Sequence, residues 1–208
     1  MHIEFLLEER SAEVTLNLIL PKLLPDDVSF DLHVFESKPD LLNKLRMRLK
    51  GYSTWIPDNW RIIVLIDEDR ENCYELKSQL ENAAHGTGLV TKSSILPIGE
   101  FQVVNRLAIE ELEAWFFGDI TALREAYPRV SKSLQYQKNY RNPDAITGGT
   151  YEALERLLIR NRYYTGKLPK TTVAHNIAQY MKPSRNRSKS FQVFVEGIRA
   201  CVEQMNNN

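Results

Sequence analysis

The chain has little of what marks an exported, membrane-bound or zinc-stapled protein. Its two cysteines, Cys73 and Cys201, stand far apart without C-x-x-C spacing. They give no zinc site and point to a reducing cytoplasm. Its four histidines are scattered with no ligand spacing, so core or surface roles are expected for each. No apolar run approaches the roughly 20 residues of a membrane span. The opening stretch, residues 2–8, is too short and too acidic for an export signal, so no membrane partner is expected. Internal repeats and low-complexity tracts are missing too. Net charge is nil, with 27 basic residues against 27 acidic. That balance hides an asymmetry: residues 1–119 hold 21 acidic and 12 basic side chains, and residues 120–208 hold 6 and 15. An acidic half suits a metal centre and a basic half suits a polyanionic partner, unless the two halves simply attract each other.

What is present is an ordinary soluble composition, 43% hydrophobic and 26% charged, over 208 residues. That length buries a sizeable core, as one large domain or a domain with an appendage. The organising stretch is residues 61–70, an aliphatic run from Ile62 to Ile66 that stops at Asp67-Glu68-Asp69. Such a run reads as a strand buried on both faces of a parallel sheet. Ligands of open α/β sheets gather outside the carboxyl ends of the strands, where Asp67 and Asp69 would stand. Alternate residues point to one side about 6–7 Å apart, so the two carboxylates are expected to converge and to favour a hard divalent cation. The bland alternative is that Asp67 caps the following helix.

Taken in order, residues 3–7 read as a strand ending at Glu8-Glu9, and Ser11 as the cap of a helix that Pro21 divides. Residues 28–36 alternate as a strand, and 40–50 form a basic amphipathic helix closed by Gly51. A helix over 71–84 follows the central strand, and strands are expected at 94–98 and 101–107. This alternation predicts a doubly wound, mainly parallel α/β domain over residues 1–118. Its first and third strands both end in acid. A third acidic cluster, Glu110, Glu111 and Glu113, is expected to open a helix whose Trp115 and Phe116 enter the core, with Glu110 and Glu113 on similar faces. A carboxylate at Glu113, beside that packing, needs a partner or a metal. Residues 119–208 read as a basic helical region, ending in a helix over 191–204 preceded by Arg185-Asn186-Arg187-Ser188-Lys189-Ser190. A helix start there offers backbone N–H groups to an oxyanion. Arg185 and Arg187 can grip phosphate, and Lys189, Ser188 and Ser190 can support them, the serines alternatively capping the helix. The competing account has the arginines pin the basic region to the acidic half.

The stretches Phe5-Leu-Leu-Glu8-Glu-Arg-Ser11, Val64-Leu-Ile-Asp67-Glu-Asp69-Arg70, Glu111-Leu-Glu113-Ala-Trp115 and Asn186-Arg-Ser188-Lys-Ser190-Phe191 resemble the DUF4276 family, grouped with the TOPRIM-like enzymes that include RloB-like and OLD-family nucleases. The resemblance implies a TOPRIM-like fold and a nuclease dependent on Mg²⁺ or Mn²⁺, acting on DNA or RNA in phage defence beside an ABC- or AAA-type ATPase. It places the metal on Glu8, Asp67 and Asp69, with Glu8 as general base and Glu113 completing the catalytic set. Lys38, Lys77 and Glu111 stand in support. Two departures are visible: Glu9 stands where a glycine usually follows the first glutamate, and Ser37 precedes Lys38 where a glycine is expected. The alternative keeps the fold and drops catalysis, leaving a regulatory or binding subunit of an ATPase-containing complex. A haloacid-dehalogenase-like phosphatase also begins with D-x-D, but Glu71 stands where it needs a small hydroxyl or β-branched residue.

Overall fold

The structure, a computed structural model, describes residues 1–94 and 99–206. Four strands, β1 (His2–Leu7), β2 (Ser29–Val34), β3 (Trp60–Asp67) and β4 (Val103–Ala108), form one sheet in the order β2-β1-β3-β4, and every pairing is parallel. The strand expected at 94–98 lies almost wholly outside the described residues. Helices α1 (Arg10–Ile19), α2 (Lys38–Tyr52) and α3 (Cys73–His85) connect the strands. The rest is helical: α4 (Glu113–Gly118), α5 (Ile120–Ala126), α6 (Thr150–Arg160), α7 (Lys170–Ala178) and α8 (Lys189–Asn206). No helix among the described residues is long and apolar enough to cross a membrane.

The two central strands are buried end to end, β1 without exception and β3 from Arg61 onward, because helices cover both faces of the sheet. Side-chain alternation sorts their residues into two cores. Ile3, Phe5, Leu7, Ile63 and Leu65 join Leu16 of α1, Trp115 and Phe116 of α4 and Phe194 of α8. Leu6, Ile62, Val64 and Ile66 join Leu41 and Leu45 of α2 and Leu76 and Leu80 of α3. The first of these cores draws on both the sheet and the helices beyond residue 119. Asp67, odd-numbered like Ile63 and Leu65, therefore faces the layer of α1 and α4.

Several local expectations shift. Glu9, not Ser11, precedes α1, and Ser11 sits buried in its first turn donating back to the Glu9 carboxylate. Gly51 lies inside the last turn of α2 rather than beyond it. Pro21 does divide the first helix, starting a single 3₁₀ turn after α1. Helix α3 begins at Cys73, and its cap is Asn72, whose Oδ1 accepts from the Tyr74 and Glu75 amides. Asp67 therefore caps nothing, which removes the bland account of that residue. Glu110 is not helical: its φ is +62°, and α4 starts only at Glu113.

Candidate metal centre

The topology itself marks a crevice. From β1 the chain passes outward to β2, and from β3 it passes to β4 on the other side, so the switch point lies between the carboxyl ends of β1 and β3. Glu8 follows β1 directly and Asp67 ends β3. The Asp67 backbone N–H donates to Glu8 Oε2 at 2.9 Å, locking the two strand ends together.

Asp67 is only 7% exposed. Burial raises its pKa well above the carboxylate range, and the charges of Glu9, Glu8, Glu113 and Asp69 push it further the same way. Glu113, 3% exposed, is raised to about 8, first by burial, with Lys170 pulling against it. Its Oε2 is buried with no hydrogen-bond partner. Glu8 is raised to about 7, mainly by burial, and the bond from the Asp67 amide opposes this. Two lysines meet the group. The Lys170 ammonium lies 3.2 Å from Glu9 Oε2, and the charges of Glu113 and Glu9 raise its pKa against the opposing effect of burial. Buried Lys38, at the start of α2, lies 2.9 Å from both Asp69 Oδ2 and Glu71 Oε1. Those partners outweigh burial and hold its pKa above the ordinary value.

The strand stops between the two aspartates, and the Asp69 charge still acts on Asp67. Residues 69 and 70 have φ of +53° and +65°, the left-handed region that costs a non-glycine residue about 1 kcal/mol or more. Neighbouring backbone holds this turn. Glu68 N donates to Ala108 O at 2.9 Å and Asp69 N to Glu110 O at 2.8 Å, while Glu68 Oε2 accepts the Glu110 amide at 2.9 Å. Asp67 faces α1 and α4, and Asp69 pairs with Lys38 on α2, whose charge also interacts with Glu8. A shallow cleft of 180 Å³ lined by Asp69, Arg70, Glu110, Glu111 and Glu152 opens beside them. A larger groove of 810 Å³ runs between β2 and α2 and holds none of the clustered carboxylates, so charge and burial rather than groove size mark this site.

The structure brings Glu8, Asp67, Asp69, Glu113 and Lys38 to one end of the sheet. It leaves Lys77 apart, donating to Asn105 O at 2.8 Å and pairing with Glu81 at 2.6 Å, three rungs of the ladder before Asp67. Glu111 accepts from Thr150 Oγ1 at 2.9 Å and the Tyr151 amide at 2.7 Å, so it caps α6. Sequence reasoning missed Glu9 as a member of the cluster and Lys170 altogether, for nothing in the sequence pairs two residues 161 positions apart. A divalent cation fits this donor set. The partnerless Oε2 of Glu113 and the mutual repulsion around Asp67 are both relieved by positive charge, and carboxylate oxygens suit a hard ion. Among the described residues, however, the three-ligand group whose atoms lie within 4.8 Å of one another is a different one, His2, Glu4 and Asp31.

The basic block before α8 is engaged within the chain. Arg185 grips buried Asp119 with two bonds, Nε to Oδ1 at 2.7 Å and Nη2 to Oδ2 at 2.9 Å. Ser188 Oγ and Ser190 Oγ donate to Asp144 Oδ1 at 2.8 and 2.7 Å, and the Lys189 amide donates to Asp144 Oδ2 at 2.5 Å. Ser188 also caps α8, accepting from the Phe191 amide at 3.1 Å. Asn186 bonds the Trp115 carbonyl at 2.8 Å and packs so close to Gly118 that a Cβ there would lie 1.9 Å from its Oδ1. Arg187 remains at the surface, 3.4 Å from the Arg141 carbonyl. The arginine and serine side chains thus clasp the helical region to itself, Asn186 and the Arg187 amide reach back to α4, and the two serines have no free proton for a phosphate.

The fold and the family agree with these elements. The C-terminal region of the OLD protein of Xanthomonas campestris pv. campestris, a solved structure, superposes with a TM-score of 0.51 at 13% identity, covering 99% of this chain and 98% of that one. The likeness shows the fold, the TOPRIM-like α/β arrangement with its helical C-terminal extension. No curated protein matches the sequence. The family model for DUF4276, a domain of unknown function, matches residues 7–199, and the chain belongs to that family.

Proposed function

We propose that the protein is a divalent-metal-dependent phosphodiesterase that cleaves DNA or RNA. The observation that carries this reading is the buried Asp67 at the switch point, ringed by four carboxylates and two lysines. Asp67 and Glu113 would hold Mg²⁺ or Mn²⁺ with Glu8 and Asp69 beside them. The ion would supply a Lewis acid for the scissile phosphate and stabilise the leaving oxygen. Glu8, titrating at about 7, is poised to take a proton from an attacking water near neutral pH. Lys38 offsets charge on the phosphate once Asp69 turns from it to the cation. By its family resemblance the protein would act in a phage-defence setting in the cytoplasm with an ATPase as partner, and the likeness to part of the OLD protein supports the fold this needs.

A second reading has its own support. Glu8 Oε2 is already bonded to the Asp67 amide and Asp69 Oδ2 to Lys38, so two of the three expected ligands are engaged. That arrangement suits a binding or regulatory subunit in which the acidic cluster is structural. Incubation with linear and circular DNA and with RNA, plus Mg²⁺ or Mn²⁺, separates the two. The first reading expects cleavage that Asp67→Asn and Glu8→Gln abolish while nucleic-acid binding persists. Cleavage by neither wild type nor variants, with or without the ATPase, favours the second.

A further inference from the structure

A second cluster stands away from the carboxyl edge, between the start and the middle of β1. Glu4 lies in the middle of β1, opposite Asp31 of β2, and His2 is two residues earlier on the same face. On the β3 side Glu4 is level with Ile62, five residues before Asp67, a separation of roughly 16 Å along the strand. His2, Glu4 and Asp31 each turn one ligand atom to a common point, all within 4.8 Å of one another.

His2 is 9% exposed, and its ring is held at one nitrogen. Ser29 Oγ lies 2.8 Å from His2 Nδ1 and 3.4 Å from the Met1 carbonyl, so a hydroxyl that donates to the carbonyl is free to accept from Nδ1–H. In that tautomer the other nitrogen, Nε2, carries the lone pair. It is buried without a hydrogen-bond partner and faces Glu4 Oε1 at 3.4 Å and Asp31 Oδ2 at 3.7 Å. Three acceptors pointed at one spot repel, and a cation there removes the repulsion. The second oxygen of Glu4 is held away from that spot. Oε2 accepts from Tyr52 Oη at 3.1 Å and contacts His33 Nε2, while His33 Nδ1 faces the Arg48 guanidinium at 3.4 Å. This is the outer shell that metal-binding carboxylates and imidazoles use, with His2 and Glu4 each steadied through the other polar atom.

We infer that His2, Glu4 and Asp31 form a binding site for a zinc-class divalent transition-metal ion, separate from the acidic cluster at Asp67. Ligands about 2.0–2.2 Å from a tetrahedral ion are about 3.4 Å apart, which is the spacing found between His2 and Glu4. Imidazole with two carboxylates selects Zn²⁺, Co²⁺ or Ni²⁺ over Mg²⁺. The half-open side, where the Asp31 side chain is 70% exposed, leaves the fourth position to water.

The test uses tag-free full-length protein carrying Asp67→Asn, so that the acidic cluster contributes least. Zn²⁺ is titrated by calorimetry. One equivalent binds with micromolar affinity, and both His2→Gln and Asp31→Asn weaken it at least tenfold. Asp31 is exposed, so its variant keeps the metal-free melting temperature and separates ligand loss from misfolding. Trp60, whose ring lies 4.1 Å from that of His2, is quenched by paramagnetic Co²⁺ in the parent and not in either variant. Absence of Zn²⁺ binding, binding undiminished in both variants, or equal binding of Mg²⁺ overturns the inference, whatever becomes of the nuclease reading.

Discussion

Glu113→Gln is the most informative single change, because its sign depends on whether the carboxyl is charged. In the folded chain the group titrates at about 8, against 4.5 ordinarily, and burial is the main cause. A folded pKa raised above the unfolded one means stability that is fully present below about pH 4.5 and is lost as pH rises through about 8. Left to titrate alone, Glu113 would withdraw about 3–5 kcal/mol over that window at about 1.4 kcal/mol per pH unit, the lower figure allowing for neighbouring carboxyls and Lys170 to adjust. Glutamine has the shape of the protonated acid and no charge to lose, and Lys170 retains Glu9 as a partner. Metal-free Glu113→Gln should therefore match wild type within about 2 °C at pH 5 and melt about 10 °C higher at pH 9, taking 2–4 °C per kcal/mol for a chain of this length. The assay is thermal unfolding followed by circular dichroism in EDTA, from pH 5 to 9. If the two curves run parallel across that range, Glu113 is not a buried titrating acid, and the electrostatic account of the cluster fails. Adding Mn²⁺ should raise wild type more than the variant at pH 8, since only the carboxylate gains a ligand bond.

Further outcomes follow from the same contacts. Asp67→Asn should remove most of the melting-temperature rise that Mn²⁺ gives wild type, measured by the same unfolding assay; an undiminished rise would place the cation elsewhere. Asp119→Ala leaves Arg185 and two backbone amides, of Ala122 and Lys182, without their buried acceptor and should cost about 3–5 kcal/mol in urea unfolding. Arg185→Ala with Arg187→Ala should lower stability by about 3 kcal/mol for the same reason, with the salt slope of nucleic-acid binding unchanged. A smaller slope with full stability would instead return the block to phosphate contact. Gly118→Ala forces Asn186 off the Trp115 carbonyl and should destabilise by about 2 kcal/mol or more, with loss of tryptophan near-ultraviolet signal as a second readout.

The sequence by itself determined the architecture, and the reason is local. A β3 run with no polar residue between Ile62 and Ile66 can exist only between two helical layers, and the helix–strand alternation around it leaves parallel crossovers as the way to connect. It also placed Glu8 and Asp67, since a residue that ends a parallel strand must stand at the sheet's carboxyl edge. Only the tertiary structure decided what lies around them. Lys170 reaches Glu9 because α7 packs on α1, and Asp69 pairs with Lys38 from a turn after β3 that is bonded to the turn after β4. The arginine block read equally as a phosphate grip or a clasp until Asp119, 66 positions before Arg185, was found beneath it. The histidines had no ligand spacing along the chain, yet parallel register sets Glu4 against Asp31, and one face of β1 carries His2 beside them. Strand pairing makes neighbours of residues that sequence separation hides, and no period in the sequence records which strands will pair.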